Sequence, residues 1–361
     1  MKVLPGWFIL IVASASAQAE PPAPTPFPCT AVDGIEPICG FARPPEDLED
    51  LADGRVLVGE YGAMSGTKPG VLSLFDPKTK ARQVLFDGTT AVSATPPGRE
   101  RDACPGAPGP QFSPHGIHLA QVEGRQRLLV VNHGGREAVE IFDVTIDPAT
   151  RAVALDWRDC VPAPADAWMN DVVNLPDGGF AASHMIKRGA VEEDFVKAEA
   201  SHEVTGHVLQ WHVERGWEKV PGSEGGLPNG VEVSADGTTL YVNQYLGDRV
   251  SAIDRLSGTR LWSADVPAPD NITIAPSGEL LVASHRAGFE VIVACAHHSE
   301  QACGLPYAVV GIDPKTGATR EVLTGAGAPM GAATVALQLG DAIYLGSFVG
   351  ERIVVRAAPK P

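Results

Sequence analysis

Along this chain, short runs of alternating apolar and polar residues are interrupted at regular intervals by Pro, Asp, Asn and Gly. Period-two alternation belongs to half-buried strands, and the interruptions are turn sequences. MNDVVNLPDGGFAASH (169–184) is one complete unit, two strands joined at Pro176-Asp177-Gly178. The unit recurs as EDLEDLADGRVLVGEY (46–61), PHGIHLAQVEGRQRLLVVNH (114–133), PNGVEVSADGTTLYVNQY (228–245), PDNITIAPSGELLVASH (269–285) and a weaker PMGAATVALQLGDAIYLGS (329–347). The six copies follow one another at about 57 residues, a period that signals a repeat architecture.

Between the copies lies a second two-stranded pattern, as in GVLSLFDPKTKARQVLF, VEIFDVTIDPATRAVAL, VSAIDRLSGTRLWSADV and VVGIDPKTGATREVL. Asp-Pro-x-Thr and Leu-Ser-Gly supply the turns. Two hairpins per repeat make a four-stranded antiparallel blade, and six blades predict an all-β, six-bladed β-propeller around a central channel. Two packed sandwiches would leave the sixfold repeat unexplained. Helical periodicity is nearly absent, residues 191–201 being the best candidate.

The N-terminus has a different character. Lys2, an apolar run over 3–12 and Ala17-Gln18-Ala19 predict a secretory signal cut after Ala19. The run is too short to span a bilayer, so export to the periplasm or medium is expected, a retained anchor being the alternative. A Pro-rich leader covers 20–28, leaving 29–361 as a single propeller domain. Six cysteines suit an exported chain with disulfides. Cys295 with Cys303 and Cys29 with Cys39 would each close a short loop, leaving Cys104 with Cys160, although six cysteines permit other pairings.

Charge narrows the partners. The chain carries 44 acidic and 28 basic residues, a net charge of −16, and loss of Lys2 with the signal makes it 27 against 44, or −17. Without a Lys/Arg cluster, nucleic acid and anionic membrane are poor partners, whereas cations are good ones. Oligomeric state is not legible.

The polar hairpin ends then acquire a meaning. Mirroring each hairpin about its turn sets Asp171 opposite His184, Asp47 opposite Glu60, Asn271 opposite His285, Asn229 opposite Gln244 and His115 opposite His133. The first strand of a blade lines the channel, so Glu46-Asp47, His115, Asn170-Asp171, Asn229 and Asp270-Asn271 are expected around one rim, the sixth blade offering only Met330. Carboxylates and amides without thiolates suit a hard cation, and Ca²⁺ better than Mg²⁺ because it accepts many oxygens in flexible geometry. Adjacent strand residues point to opposite sides, so the doublets are expected to serve two ions at different depths. Glu46 with Asp270, and Asp47 with Asp171, would bring two negative charges to each.

PPEDLEDLADGRVLV, SPHGIHL, LLVVNH, MNDVVNLPDG, PNGVEVSADG and PDNITIAPSG, in this order over blades one to five, together resemble the paraoxonase/arylesterase family. The resemblance implies a six-bladed, calcium-dependent esterase and lactonase. It implies a catalytic calcium on Glu46, Asn170, Asn229, Asp270 and Asn271, and a structural calcium on Asp47, Asp171 and the backbone carbonyl of Ile117. It further implies proton transfer by His115 and His133, with His184 and His285 in the pocket wall. The chain departs from the family at its end. Its final cysteine is Cys303, so the disulfide that ties the mammalian termini is missing and strand pairing must close the ring. SATPPGRERDACPGAPGPQF (93–112) precedes the His115 strand and is expected on the active rim.

The chemistry so implied is hydrolysis of a small lactone or aryl ester, or of a phosphotriester, by a metal-polarised carbonyl and a histidine-activated water. The G-x-S-x-G nucleophile motif is absent. Three alternatives stand beside it: a gluconolactonase- or strictosidine-synthase-like propeller with the same ring but no His115–His133 pair at work, a non-catalytic calcium-stabilised binding module, and a zinc site in Cys295-Ala296-His297-His298 through Cys303.

Overall fold

The computed structural model describes residues 27–90 and 104–359. The signal, most of the leader and residues 93–103 of the Pro/Gly-rich stretch lie outside the described residues. Six four-stranded antiparallel sheets form the propeller, as the repeat predicts. Their innermost strands are Pro45–Asp50, Pro114–Val122, Ala167–Asn174, Pro228–Val233, Pro269–Ile274 and Ala333–Leu339, each beside the next around the channel.

Apolar residues facing out of each sheet pack against the neighbouring blade, so every blade-to-blade interface is one buried cluster. Leu129, Val131 and Val139 of blade two meet Met169, Val172 and Phe180 of blade three. Val173 and Val208 of blade three meet Val231 and Val242 of blade four. Blade six meets blade one through Val335, Leu337 and Tyr344 against Leu48, Val56 and Phe75. Met330 is buried in the cluster between blades five and six rather than at the channel rim.

The ring closes by strand pairing. Glu36–Cys39 adds antiparallel to Arg352–Ala357 as the outer strand of blade six, and Cys29–Cys39 staples its end. Arg352, almost wholly buried, donates to the carbonyls of Phe27 (3.0 Å), Pro28 (3.2 Å) and Pro329 (3.2 Å). The other bridges are Cys104–Cys160 and Cys295–Cys303. Three disulfides point to an oxidising compartment. No helix among the described residues is long and apolar enough to cross a membrane.

The helical candidate forms as Glu192–Ser201, and a second helix, Phe289–Ala296, escapes sequence reading because it is only eight residues long and apolar apart from Glu290, without a helical period. The two helices pack together over one mouth of the channel. Under them Trp168, Leu227, Tyr245, Ile292 and Val349 form a seventh apolar cluster, with Phe195, Phe289 and Phe348 against it. In the described part of the 93–112 stretch, Cys104 and Phe112 belong to the core between blades one and two, while Gly106 and Gln111 lie against the 134–136 loop that follows His133.

Deleting residues 1–40 removes the closing strand and leaves blade six with a bare edge. Calorimetry on the truncated chain is expected to give a midpoint lower by roughly 10 °C or more, or no cooperative transition. An unchanged midpoint would mean that the ring closes without this strand.

Candidate functional site

Each innermost strand carries an irregularity near its start, and in blades one to five it falls where the sequence places the polar rim residues. Pairing skips from Pro45 to Asp47, Pro114 to Ile117, Met169 to Val172, Pro228 to Val231, Pro269 to Ile272 and Ala333 to Val335. These are β-bulges, which place extra residues on one strand and re-aim their side chains. The mirror pairs are corrected accordingly. His184 lies opposite Met169, Glu60 opposite Pro45, Gln244 opposite Pro228, Ser284 opposite Pro269 and Asn132 opposite Pro114. Counting from the turn fails because the bulge lengthens only the inner strand. In blade six the bulged residue is Thr334, whose hydroxyl donates to the Glu46 carbonyl at 2.7 Å.

Two bulges require glycine. A Cβ at Gly116 would stand 2.6 Å from Asp171 Cα and 2.8 Å from the Asn170 carbonyl oxygen. At Gly230 it would stand 2.5 Å from the Asp270 carbonyl oxygen and 2.9 Å from Asn271 Cα. Backbone in those places cannot yield as a flexible side chain would.

The predicted residues, buried near the starts of the inner strands, fall into two tiers by the partners that their oxygens find. Glu46, Asn170, Asn229, Asp270 and Asn271 are buried in the upper tier. The Asn271 amide donates to Glu46 Oε1 at 2.9 Å, and the Asn243 amide donates to the Asp270 carbonyl. Glu46 Oε2 and the amide oxygens of Asn170, Asn229 and Asn271 find no donor, although each is buried. A buried acceptor without a donor costs about 1–3 kcal/mol, so four together mark a place that wants a cation or a donor ligand. Oxygens only, from carboxylate and amide, are the donor set of Ca²⁺, and these residues fit it. Among the described residues no three His, Cys, Asp or Glu side chains group in a metal-binding arrangement, so an ion here must use the amides.

The lower tier differs. Asp47 accepts from the amides of Leu48 (2.9 Å) and Ile117 (2.7 Å), and Asp171 from those of Val172 (2.7 Å) and Val231 (2.8 Å). These carboxylates link blade one to two and blade three to four, and it is the Ile117 N–H that reaches Asp47. Below them the channel opens into a cavity of about 430 Å³ lined by Glu49, His118, Asn174 and Glu232, among others.

Burial, with repulsion from neighbouring carboxylates, pushes Glu46 and Asp171 well above the ordinary carboxylate range. Burial raises Asp47 to about 7 and Asp270 to about 8. The ring therefore resists full ionisation without a counter-cation.

Beside the upper tier, His115 Nδ1 lies 3.0 Å from His133 Nε2, and His115 Nε2 lies 4.0 Å from Glu46 Oε2. The pair meets although its backbones are not register partners. Burial, then His133, drives His115 well below the ordinary histidine range, so its ring is neutral at neutral pH. Tyr61 stacks on it with ring centres 4.7 Å apart. Sequence reading missed Glu137, whose carboxylate lies 2.9 Å from His133 Nδ1; an H-x₃-E spacing was its only signal.

His184 and His285 occupy the same rim. His285 Nδ1 bonds the Tyr245 hydroxyl at 2.7 Å, its Nε2 lies 3.7 Å from Asp270 Oδ2, and burial lowers its pKa to about 4. His285 and Tyr245 border a cavity of about 500 Å³ with Leu246, Phe289 and Ile292. His184 packs against His207 with the rings tilted, their centres 4.9 Å apart. The zinc alternative falls, because Cys295 and Cys303 are joined and His297 pairs with Glu192.

No family model matches the sequence, and no curated protein sequence matches it. Solved structures are similar in fold. A gluconolactonase from Xanthomonas campestris is 18% identical, with 95% of this chain and 99% of that chain covered and a TM-score of 0.51. A luciferin-regenerating enzyme is 14% identical, with 90% and 96% covered and a TM-score of 0.53. At these identities the likeness is one of architecture. The fold and the site define a six-bladed propeller with an oxygen-lined, acidic channel mouth.

Two outcomes follow from the geometry. Gly116→Ala forces backbone apart at the Asn170-Asp171 bulge and should cost roughly 1–3 kcal/mol in urea denaturation; a neutral result would show that the bulge has slack. In chelator, the raised carboxylates contribute stability that is complete below their unfolded values near 4 and lost as pH rises through about 7 and 8. The midpoint should thus be higher at pH 5 than at pH 9, with Ca²⁺ restoring it at pH 9. A chelated protein no less stable at pH 9 would show that the channel carries no such strain.

Proposed function

We propose that this chain is a calcium-dependent hydrolase of lactones, with carboxylic aryl esters as secondary substrates, of the kind the paraoxonase/arylesterase resemblance implies. The observation that carries the reading is the bonded His115–His133 pair set beside the orphaned oxygens of the upper tier. Glu46, Asn170, Asn229, Asp270 and Asn271 would hold the ion. Bound there, Ca²⁺ supplies positive charge for the negative charge that develops on a carbonyl oxygen under attack.

The chain's own residues do the rest. Neutral His115 takes the proton of the attacking water, and His133 receives a proton from His115 in turn. Tyr61 keeps the His115 ring in place, and the apolar cluster under the two helices shields the mouth from bulk water. That roof of Trp168, Leu227, Tyr245, Ile292 and Phe348 favours a substrate with an apolar chain over a polyhydroxylated sugar lactone. A second ion on Asp47, Asp171 and the Ile117 carbonyl rests on charge alone, because backbone amides already serve both carboxylates. Titration calorimetry counts it as one ion or two.

The test is a panel of an aliphatic lactone, an acyl-homoserine lactone, phenyl acetate and a phosphotriester, each with and without chelator. Turnover should vanish with chelation and return with Ca²⁺. His115→Gln should lose on the order of 10² to 10⁴ in kcat, and Asn229→Ala should weaken calcium binding. Full activity in His115→Gln would favour a gluconolactonase-like site that uses another base. Calcium-dependent stability without turnover would make the protein a binding module.

A further inference from the structure

We propose that Glu137 is a positioning residue that sets the direction of the histidine chain: it fixes the proton of His133 on Nδ1, hence that of His115 on Nδ1, and leaves His115 Nε2 as the free lone pair facing the ring. The consequence for rate rests on the hydrolase reading above; the proton arrangement itself does not.

One backbone amide fixes the direction. Met169 N–H can only donate, and it donates to Glu137 Oε1 at 2.9 Å. The other oxygen, Oε2, lies 2.9 Å from His133 Nδ1. The side chain of Glu137 is 5% exposed and that of His133 is fully buried, so water does not compete for either contact. An ionised carboxylate only accepts, so His133 Nδ1 carries the proton. In neutral His133, Nε2 is then the lone pair, and the atom 3.0 Å away, His115 Nδ1, must donate to it. Neutral His115 has one proton, already placed, so its lone pair is on Nε2. That atom lies 4.0 Å from Glu46 Oε2, the carboxylate oxygen without a donor. Running the chain the other way would require one more proton, on Glu137 Oε2 or on the His133 ring.

The same contacts close the proton balance. Water gives its proton to His115 Nε2 as its oxygen bonds to the carbonyl carbon. The Nδ1 proton of His115 passes to His133 Nε2, and the resulting imidazolium is paired with Glu137. When the ring C–O bond of a lactone breaks, the electron pair stays on the leaving oxygen, which takes a proton back along the chain. The product is the hydroxy acid, and the histidines return to their starting state.

Glu137→Gln is the discriminating variant because it keeps size and shape. Met169 N–H still needs an acceptor, so the amide oxygen turns to it and the NH₂ faces His133 Nδ1. Both rings must then carry their protons on Nε2, and His115 loses its inward lone pair. Imidazole ¹⁵N shifts of the full, calcium-loaded chain read this directly. At neutral pH the wild type should show Nδ1–H on both rings, and Glu137→Gln should show Nε2–H on both. On the best substrate of the panel, kcat should fall by about 10² or more with KM changed less than threefold. A Glu137 that merely supports the loop would lower the melting midpoint and leave the ring protons where they were. An Nε2–H on wild-type His115, or unchanged tautomers in Glu137→Gln, overturns the assignment. Wild-type protein that shows the expected tautomers and their reversal, yet hydrolyses nothing, upholds the assignment and overturns only the hydrolase reading.

Discussion

Four carboxylates, Glu46, Asp47, Asp171 and Asp270, are buried at one end of one channel, and most of what is unusual in this fold answers to them. Ionised carboxylates out of water need donors or a counter-charge, and the apolar blade interfaces offer neither. The lower pair takes backbone amides from the neighbouring blades, which turns a charge problem into links between blades. The upper pair is met only in part by side-chain amides, and their own orphaned oxygens remain. The structure thus separates a self-satisfied tier from an unsatisfied one, and the histidine pair lies beside the second.

The bulges make this possible. A regular strand alternates its side chains between faces, so one strand end could aim only one residue of a doublet at the axis. A bulge in every inner strand relaxes the alternation and brings polar groups of all six blades to the rim, including Thr334, which no polar doublet announces. The cost is close backbone approach, which is why glycine follows His115 and Asn229. Elsewhere the blades are ordinary, held by apolar clusters that repeat around the ring and closed by an N-terminal strand on blade six.

A gluconolactonase and a luciferin-regenerating enzyme share this architecture, and at 18% and 14% identity they share little else that can be carried over. The side chains around the channel mouth and the roof above it are not dictated by that architecture. Here those are a Glu–His–His chain and an apolar canopy borne on two short helices.

The repeat, and with it the propeller, was legible in the sequence because period-two alternation and turn residues are local properties that recur in every blade. The polar rim residues of blades one to five were legible for the same reason: they stand at one place in the repeat, directly after a Pro or Met. Met330 misled because its blade has the opening residue without the doublet, while Thr334 sits a few positions later in an apolar run. Glu137 was nearly hidden because, beyond its spacing from His133, its other side-chain contact, the Met169 amide, comes from the next blade. The cysteine pairing, the helix at Phe289–Ala296 and the division of the carboxylates into two tiers were likewise decided by packing. Sequence carries what each strand repeats for itself. Only the closed ring determines which buried oxygen meets a donor, because that donor belongs to the next blade.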